Sequence, residues 1–413
     1  MIVRKLLIGV AAVLGLVVAA GVFIPLAVPV GVYRARVEAL VKEAIGRELT
    51  IAGPIKLSVL PALAVEASDV YFANMPGARS PDMAAVKQLR IELKFRPLLH
   101  RLIVVRRLDL VRPVIALEVD KTGRPNWVFG PAANSAAPPG GMPASGKIRG
   151  GLDISGLSLP KVRLSDGKIS YFDQRTGKTE GLDGIDATLS LHSLGKAFAG
   201  DGSAVWNGEQ VTFAVNIANP LGLFDGAESE VGVKLAAAPA TLDFSGRVAG
   251  SPSLRLDGSL GVESKSLRRF ARWAGSPIAL DGEGLGPLTV KGTVAIAGTV
   301  TSLTDAAISL DAIKAKGSVS IDSAGLRPAL AGKLDIDRLD LNPYLAAAAA
   351  ATVLPPAAGS ASPAPATSGR DGMPIDLSAL KLADADFDLT LGSIAFGQIQ
   401  IGASAGKIRV KDG

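Results

Sequence analysis

Three acidic residues at alternate positions, Asp384, Asp386 and Asp388, are the part of this sequence most similar to a metal-binding motif. A calcium loop of the EF-hand type begins with oxygen ligands at this spacing and needs a glycine at its sixth position for a sharp turn. Leu389 stands at that position here. Asp alternating with apolar residues is the simpler signature of a strand's polar face, so the sequence predicts a strand there.

Three glycines at alternate positions, Gly282, Gly284 and Gly286, raise the question of a phosphate-binding loop. Such a loop has the spacing G-x-G-x-x-G and opens a helix, because the helix N-terminus and backbone N–H groups cradle the phosphate. Neither the spacing nor a following helix is present. The sequence therefore predicts a turn at these glycines.

A nucleophilic active site is also absent from the sequence. There is no cysteine, and the two histidines, His100 and His192, are far apart. A Ser/His/Asp or Cys/His set needs a histidine held beside its nucleophile, and disulfides or cysteine-ligated metals need thiols. We therefore expect no catalytic residues, no metal and no cofactor, and a protein that is not an enzyme.

Charge is mild and spread along the chain. The 44 basic and 38 acidic residues give a net charge of +6 over 413 residues, which does not favour nucleic-acid binding. One basic stretch contains Lys94, Arg96, Arg101, Arg106, Arg107, Arg112, Lys121 and Arg124. Interleaved Asp109, Glu118 and Asp120 favour a solvated strand face there, and contact with anionic lipid headgroups is the alternative.

The first segment predicts a membrane anchor. Residues 6–33 are uncharged, and about 20 apolar residues span a bilayer core, even if Pro25 and Pro29 end the helix early. The alternative is a cleaved signal peptide, whose apolar region is normally shorter. Residues 1–5 are too few to form a domain, so we expect them in the cytoplasm and the bulk of this single-pass protein in the periplasm.

Residues 34–48 predict an amphipathic helix, with Val37, Leu40, Val41, Ala44 and Ile45 on one face and Gly46 near its end. Only short turns at 267–273 and 343–350 also look helical. From Leu49 the apolar period becomes two, which is typical of strands with one apolar and one polar face. The alternating sets are Ile91/Leu93/Phe95, Ile115/Leu117/Val119, Leu242/Phe244/Val248, Leu254–Val262, Leu288–Val300, Phe387/Leu389/Leu391 and Ile399/Ile401.

The fold class predicted is therefore mainly β: a transmembrane helix and an amphipathic helix, then a long twisted antiparallel sheet. Alternation alone also fits an ordinary sandwich or β-helix core; the anchor, the low aromatic content and the family resemblance given below favour a sheet that forms an open apolar groove. Apolar residues make up 48% of the chain but aromatics only 5%, so the apolar face is mostly aliphatic. Two Ala/Pro/Gly/Ser-rich stretches, 131–146 and 346–372, are predicted linkers or loops. They divide the exported part into 34–130, 147–345 and 373–413.

Twelve residues of the first 130 form a recurring pattern of turns and strand ends: Gly53, Pro61, Asn74, Pro97, Leu98, Leu99, Leu108, Leu110, Pro113, Gly123, Asn126 and Trp127. With the preceding anchor and helix, they resemble the AsmA family of Gram-negative envelope proteins. The resemblance is strongest in residues 1–130, where 34–130 forms an N-terminal AsmA-like module, and 373–413 resembles the start of the family's C-terminal region, apparently truncated. The later strand Lys333–Leu345 resembles one that ends in the family's Pro-Tyr turn.

The resemblance implies an inner-membrane protein that supports outer-membrane assembly and phospholipid movement between the membranes. It also implies a relation to chorein-type bridge lipid-transfer proteins, whose curved sheet is lined with apolar side chains. The partners implied are phospholipids, the inner membrane and outer-membrane assembly components, with no nucleic acid. The alternative function is a scaffold that helps outer-membrane proteins assemble without carrying lipid.

Eight aliphatic residues of the alternating strands are the predicted lipid-facing set, since an acyl chain loses about 0.8 kcal/mol per CH₂ when exposed to water. They are Leu254, Leu256, Leu260, Val262, Leu288, Val290, Val294 and Ile296.

Overall fold

The structure is a computed structural model that describes residues 30–58, 62–98, 100, 104–128, 147–148, 152–153, 158–250, 254–279, 282–325, 327–344 and 383–411. Both low-complexity stretches and most of the predicted anchor lie outside these residues. Among the helices that are described, none combines the length and apolar character that crossing a bilayer requires.

Helices are few and mostly short. They are α1 (Val30–Ile45), α2 (Phe95–Leu98), α3 (Pro220–Phe224) and α4 (Leu267–Trp273), together with a 3₁₀ turn (Asn342–Tyr344). The predicted helix near residue 40 and the predicted helical turn at 267–273 are thus confirmed. Of the predicted turn at 343–350, only the first residues lie in the described part.

Strands make up most of the remaining structure. They are β1 (Leu49–Ile51), β2 (Ile55–Ser58), β3 (Ala64–Ala73), β4 (Asp82–Leu93), β5 (Val105–Val119), β6 (Lys147–Ile148), β7 (Leu152–Asp153), β8 (Leu159–Asp173), β9 (Thr179–Leu191), β10 (Phe198–Trp206), β11 (Glu209–Ile217), β12 (Glu228–Ala237), β13 (Thr241–Ala249), β14 (Arg255–Ser264), β15 (Leu288–Ala297), β16 (Val300–Leu310), β17 (Ile313–Asp322), β18 (Ala329–Ile336), β19 (Leu339–Asp340), β20 (Asp384–Leu391), β21 (Ile394–Phe396), β22 (Ile399–Ile401) and β23 (Ser404–Val410).

Eighteen of these strands belong to one mixed sheet. A small sheet contains β19, β21 and β22, and β6 pairs only with β7. The chain divides into two compact units: unit 1 is Met1–Gly232 with Ala249–Pro252, and unit 2 is Val233–Val248 with Ser253–Gly413.

In unit 1, β3 pairs with β1, β2 and β4, and the order then continues through β5, β8, β9, β10 and β11. The register places Leu89 opposite Ala67 and Leu110, and Leu110 opposite Leu164. Residues directly opposite one another share a sheet face, so aliphatic side chains form one face across these strands.

In unit 2, the order is β14, β15, β16, β17, β18, β20 and β23. Each strand from β14 to β18 pairs with its chain neighbour in antiparallel fashion. The period-two alternation read from the sequence therefore places the apolar sets of β14, β15 and β20 on a common face.

The prediction of a purely antiparallel sheet is wrong. The pairs β5–β8, β18–β20 and β19–β21 are parallel. A parallel pair needs a long crossover connection, whereas an antiparallel pair can be joined by a tight turn. Residues 131–146 lie in the connection from β5 to β8, and residues 346–372 lie between β18 and β20. Both low-complexity stretches thus belong to chain segments long enough for such a crossover.

Phe95 and Val300 fall outside the strands predicted for them, as does Leu254, which precedes β14. Phe95 was expected to continue the alternation of β4, but it begins α2, where Pro97 is tolerated because a first helical turn leaves its N–H groups unbonded. Val300 was expected to end one long strand, but it begins β16. Gly298, with φ of +63°, and Thr299 form the two-residue turn between the paired residues Ala297 and Val300.

The first helix ends as its sequence predicts. Gly46 has φ of +77°, a conformation that glycine adopts without a Cβ penalty, and its N–H donates to the Lys42 carbonyl at 2.9 Å. The helix is held beside β1 by two contacts: Arg34 donates to the Gly53 carbonyl at 2.7 Å, and Glu38 accepts from the Ile51 N–H at 3.0 Å.

Candidate functional site

The predicted lipid-facing residues come together on one face of two neighbouring strands. The register of β14 and β15 places Leu256 opposite Ile296 and Val262 opposite Val290. Leu260, Leu288 and Val294 occupy positions of the same alternation, so they share this face. Leu254 precedes β14 and is 48% exposed, so it stands just outside the paired region.

The same face continues across the rest of unit 2, and we call it the apolar face. It is defined by three sets of residues that lie opposite one another from strand to strand. The sets are Val262–Val290–Ile308–Ala315–Ile336–Leu391, Val294–Leu303–Val319–Gly332–Phe387–Ile408 and Leu256–Ile296–Thr301–Ile321–Leu330–Ala385–Val410. All but two members, Thr301 and Gly332, are hydrophobic, and the only aromatic is Phe387.

The opposite face of the same strands is polar and carries ion pairs. Lys291 pairs with Glu263 across β14 and β15 at 3.2 Å. Asp386 and Asp388 pair with Lys407 of β23 at 3.5 and 3.4 Å. The prediction that these aspartates mark a strand's polar face is thus confirmed. In the part of the chain described, no group of three His, Asp or Glu residues is close enough to hold a metal ion.

Most side chains of the apolar face are only half-buried. Val294, Ala315 and Ile336 are nearly inaccessible, whereas Ile321 is 41% and Ile408 50% exposed. The core of a closed sandwich would bury such residues almost completely. Aliphatic surface across several strands therefore still contacts solvent.

A glycine on the apolar face marks a place where the sheet bends toward that face. A Cβ on Gly258 would lie 2.5 Å from the Cα of Gly246, and a Cβ on Gly317 would overlap the Lys333 carbonyl oxygen. Neighbouring strands of a flat sheet are about 4.8 Å apart and Cβ atoms point away from its plane. At Gly258 the overlap shows that the adjacent strand is raised on the side to which the Cβ would point. At Gly317, which has φ of +142°, the overlap follows from the backbone conformation of the glycine itself.

One end of the apolar face is covered by the small sheet. Leu339 of β19 and Ile394 of β21 pack against the cluster of Ala315, Ile336 and Leu391. This contact explains why that end is the most deeply buried part of the face.

Unit 1 contains a buried polar network that we call the polar knot, formed by Asn74, Arg79, Glu118, Asn126 and Gln174. Asn126 is fully buried. Its amide donates to Asn74 Oδ1 at 2.9 Å and to the Ala116 carbonyl at 2.7 Å, and its Oδ1 accepts from the Glu118 N–H at 3.0 Å. The buried Glu118 carboxylate accepts from the Arg79 N–H at 2.9 Å and from Gln174 at 2.5 Å.

Two aspartates at the same end of the sheet are held in their charged form. The Arg175 guanidinium hydrogen-bonds Asp173 and lowers the pKa of that carboxyl to about 2. Burial raises the pKa of Asp120, but hydrogen bonds from Thr122 and Arg124 together outweigh it and lower the pKa to about 2. Both carboxylates thus have fixed partners in the turns beside the knot.

Comparison with known proteins gives one match. The model of the AsmA family matches residues 3–258, which is more than half of the chain. The chain belongs to the AsmA family. No curated protein and no solved structure matches it.

The polar knot explains part of the AsmA motif read from the sequence. Asn74 and Asn126 are 52 positions apart, yet their side chains are bonded to each other. Gly123, with φ of +85°, allows the turn that brings Asn126 back to β5. Trp127 lies beside Tyr171, with ring centroids 6.4 Å apart. The prediction that Glu118 lies on a solvated strand face is wrong, because its side chain is buried within the knot; nothing in its sequence neighbours distinguishes it from a surface carboxylate.

A second feature of this AsmA protein, the Pro-Tyr turn, meets the glycines at 282–286. Gly284 N–H donates to the Pro343 carbonyl at 2.8 Å, and Tyr344 donates to Asp311 at 2.7 Å. Burial, and then the Asp311 carboxylate, raises the pKa of Tyr344 far above its ordinary value. The glycines therefore form a bent segment that no helix follows. A backbone hydrogen bond from Gly284 to Pro343 joins this segment to the Pro-Tyr turn.

The basic stretch is ion-paired along only part of its length. Arg107 pairs with Asp109 at 2.7 Å and Arg124 with Asp120 at 2.9 Å, as expected of a solvated strand face. Lys94, Arg96 and Arg106 are exposed and have no carboxylate within 4.0 Å among the described residues. Arg101 lies outside those residues.

Proposed function

We propose that this AsmA family envelope protein carries phospholipid acyl chains on its apolar face, which forms an open groove. It is anchored in the inner membrane through residues 6–33, with its bulk in the periplasm. There it supports outer-membrane assembly and phospholipid movement between the two membranes. The observation that carries the proposal is a hydrophobic face that spans seven strands and remains half-exposed.

The composition of this face suits acyl chains. Each CH₂ group moved out of water gains about 0.8 kcal/mol, without any directional contact. Aliphatic residues such as Val290, Ile296 and Ile308 offer that gain at many equivalent positions, so no single position traps the chain. A lipid tail can therefore slide along the face, and headgroup chemistry is not needed to hold it.

The curvature and the polar side support the groove. The close approach of Gly258 to Gly246 indicates a bend of the sheet toward its apolar side, and this supports a concave surface there. The ion-paired opposite side keeps the protein compatible with water. One sheet thus supplies both the lipid surface and the solvated exterior.

Site-specific photocrosslinking tests the groove directly. A photoreactive amino acid at Val290 or Ile308 of the full chain, expressed in Gram-negative cells, should yield phospholipid adducts detectable by mass spectrometry. The matched controls are Thr289 and Ser309, which are adjacent in sequence, directly opposite each other and on the polar side. Adducts from all four positions alike, or none from Val290 and Ile308, would remove the support for lipid carriage.

Charge substitutions separate lipid carriage from the scaffold alternative. Val290→Glu and Ile296→Glu each place a carboxylate on the apolar face, whereas Thr293→Glu places one on the polar side of the same strand. We expect disturbed outer-membrane lipid balance for the first two only, in cells where all three proteins accumulate and resist protease equally. Unchanged lipid balance in those cells would favour a scaffold that assists outer-membrane proteins without carrying lipid.

A further inference from the structure

The connection between β4 and β5 exposes an aromatic ring among cations. Lys94 N–H donates to the Val104 carbonyl at 2.9 Å and closes the connection, and α2 lies within it. Phe95 is 58% exposed, the highest value for any aromatic side chain in the described residues. We call this end of the unit 1 sheet the basic end, and define it by Lys94, Phe95, Arg96, Arg106 and Lys161.

The cations of the basic end are not neutralised within the described structure. Lys94, Arg96, Arg106 and Lys161 are exposed and form no ion pair with described residues. The described segments of the loops beside β4, β5 and β8 at this end, 94–98, 100, 104 and 158, contain no Asp or Glu. The carboxylate of Asp225 lies several strands away, in the connection whose Leu221 N–H donates to the Leu194 carbonyl at 2.7 Å. Cations grouped without counter-charges create a positive potential that attracts an anionic surface.

The direction of α1 brings its N-terminus toward the same end. Arg34 contacts Gly53 and Glu38 contacts Ile51, so the helix runs antiparallel to the chain that leads from β1 into β2. The end of β2 pairs with Ala64, and the Leu93 N–H donates to the neighbouring Leu63 carbonyl at 2.8 Å. The N-terminal end of α1 therefore points toward the end of the sheet where β4 ends.

We infer that the basic end docks on an anionic phospholipid bilayer, with Phe95 inserted at headgroup level and the cations on lipid phosphates. The inference rests on the proposed anchor, because the uncharged residues 6–33 immediately precede and overlap the N-terminal end of α1. Apolar side chains such as Phe beside Lys and Arg insert at the boundary between headgroups and acyl chains, while the cations stay among the headgroups. Each Lys or Arg near an anionic leaflet contributes about fivefold in binding.

A fluorescent probe can report docking without background labelling, because the chain has no cysteine. Phe95→Cys carries an environment-sensitive dye in the full chain, reconstituted in nanodiscs of phosphatidylcholine with or without phosphatidylglycerol. Trp127→Cys is the matched control, since Trp127 is another exposed aromatic, 38% accessible, at the opposite end of the same sheet. We expect a blue shift and quenching by brominated lipids at position 95 only, and only with phosphatidylglycerol.

Charge reversal and salt define the contact. Lys94→Glu, Arg96→Glu and Arg106→Glu together should abolish the shift at position 95, whereas Lys121→Glu should leave it intact. Salt near 1 M should also reduce the shift, because the screening length falls to about 3 Å. Water-like emission at position 95 in both lipids, equal shifts at 95 and 127, or a shift produced instead by nucleic acid or an acidic protein would overturn the inference. Recovery of the chain with the discs reports the anchor separately, and the crosslinking at Val290 reports lipid carriage.

Discussion

The two ends of the unit 1 sheet contain similar numbers of arginines and lysines but use them in opposite ways. Beside the polar knot, Arg124 and Arg175 are bonded to aspartates, and Arg79 lies 5.0 Å from the Phe172 ring centroid. At the basic end, Lys94 and Arg96 have no such partner in the described structure. The number of charges at each end does not show which arginines and lysines stabilise the fold. The partners of each side chain show it, because a paired cation stabilises the fold and an unpaired one is available to contact another surface.

The largest effect should come from the fully buried residue of the polar knot. Asn126→Leu removes bonds to Asn74, Ala116 and Glu118 and leaves buried polar groups unpaired, so we expect a loss of about 3 kcal/mol in unfolding free energy. Urea unfolding of the full chain in detergent measures it. Gln210→Leu, at an exposed position of β11, should change that value by less than about 0.5 kcal/mol. Equal effects of the two substitutions would show that the knot is not a stabilising feature.

An intermediate effect should appear in acid. Asp120 and Asp173 have pKa values of about 2, below the ordinary 3.8. A depressed pKa stabilises the folded state above the ordinary value, and that contribution is lost as pH falls from about 4 to about 2. Thermal unfolding followed over this interval should show a shallower decline for Asp173→Asn than for the unsubstituted chain. Two parallel profiles would mean that Asp173 is not protected in the fold.

The smallest effect should come from the basic end. Phe95 is mostly in solvent, so Phe95→Ser should change the urea unfolding free energy by less than about 0.5 kcal/mol, as other exposed positions do. A loss above 1 kcal/mol in unfolding free energy would show that the Phe95 ring stabilises the fold. The ring would then not be free to insert into a bilayer.

Most of the sheet could be predicted from the sequence because the alternation of apolar and polar residues directly encodes the two faces. Leu256, Val262, Val290 and Ile296 fall on one face as their spacing requires. The parallel pairing of β5 with β8 could not be predicted, because pairing across a long connection depends on which edge is free in the folded sheet. The alternation also continues through Phe95, so it did not predict that the strand ends before this residue.

The candidate site was predictable to a similar degree. The apolar face follows from periodicity, but a bend toward it depends on where a glycine meets a neighbouring backbone, as Gly258 meets Gly246. Likewise, the bond from Tyr344 to Asp311 joins residues 33 positions apart, each ordinary in its local sequence. Contacts of this kind depend on tertiary structure, so they cannot be predicted from the pattern of residues within a short stretch of sequence.

The two parallel crossovers have a consequence for how the chain folds and how its length can change. Strands joined by tight turns can pair as soon as both have emerged, because little chain entropy is lost in closing a short loop. Pairing of β8 with β5, or of β20 with β18, must wait for a long connection. Yet doubling the length of such a connection costs only about 0.6 kcal/mol. Insertions in 131–146 and 346–372 should therefore slow assembly at these two joints while hardly changing the stability of the finished protein.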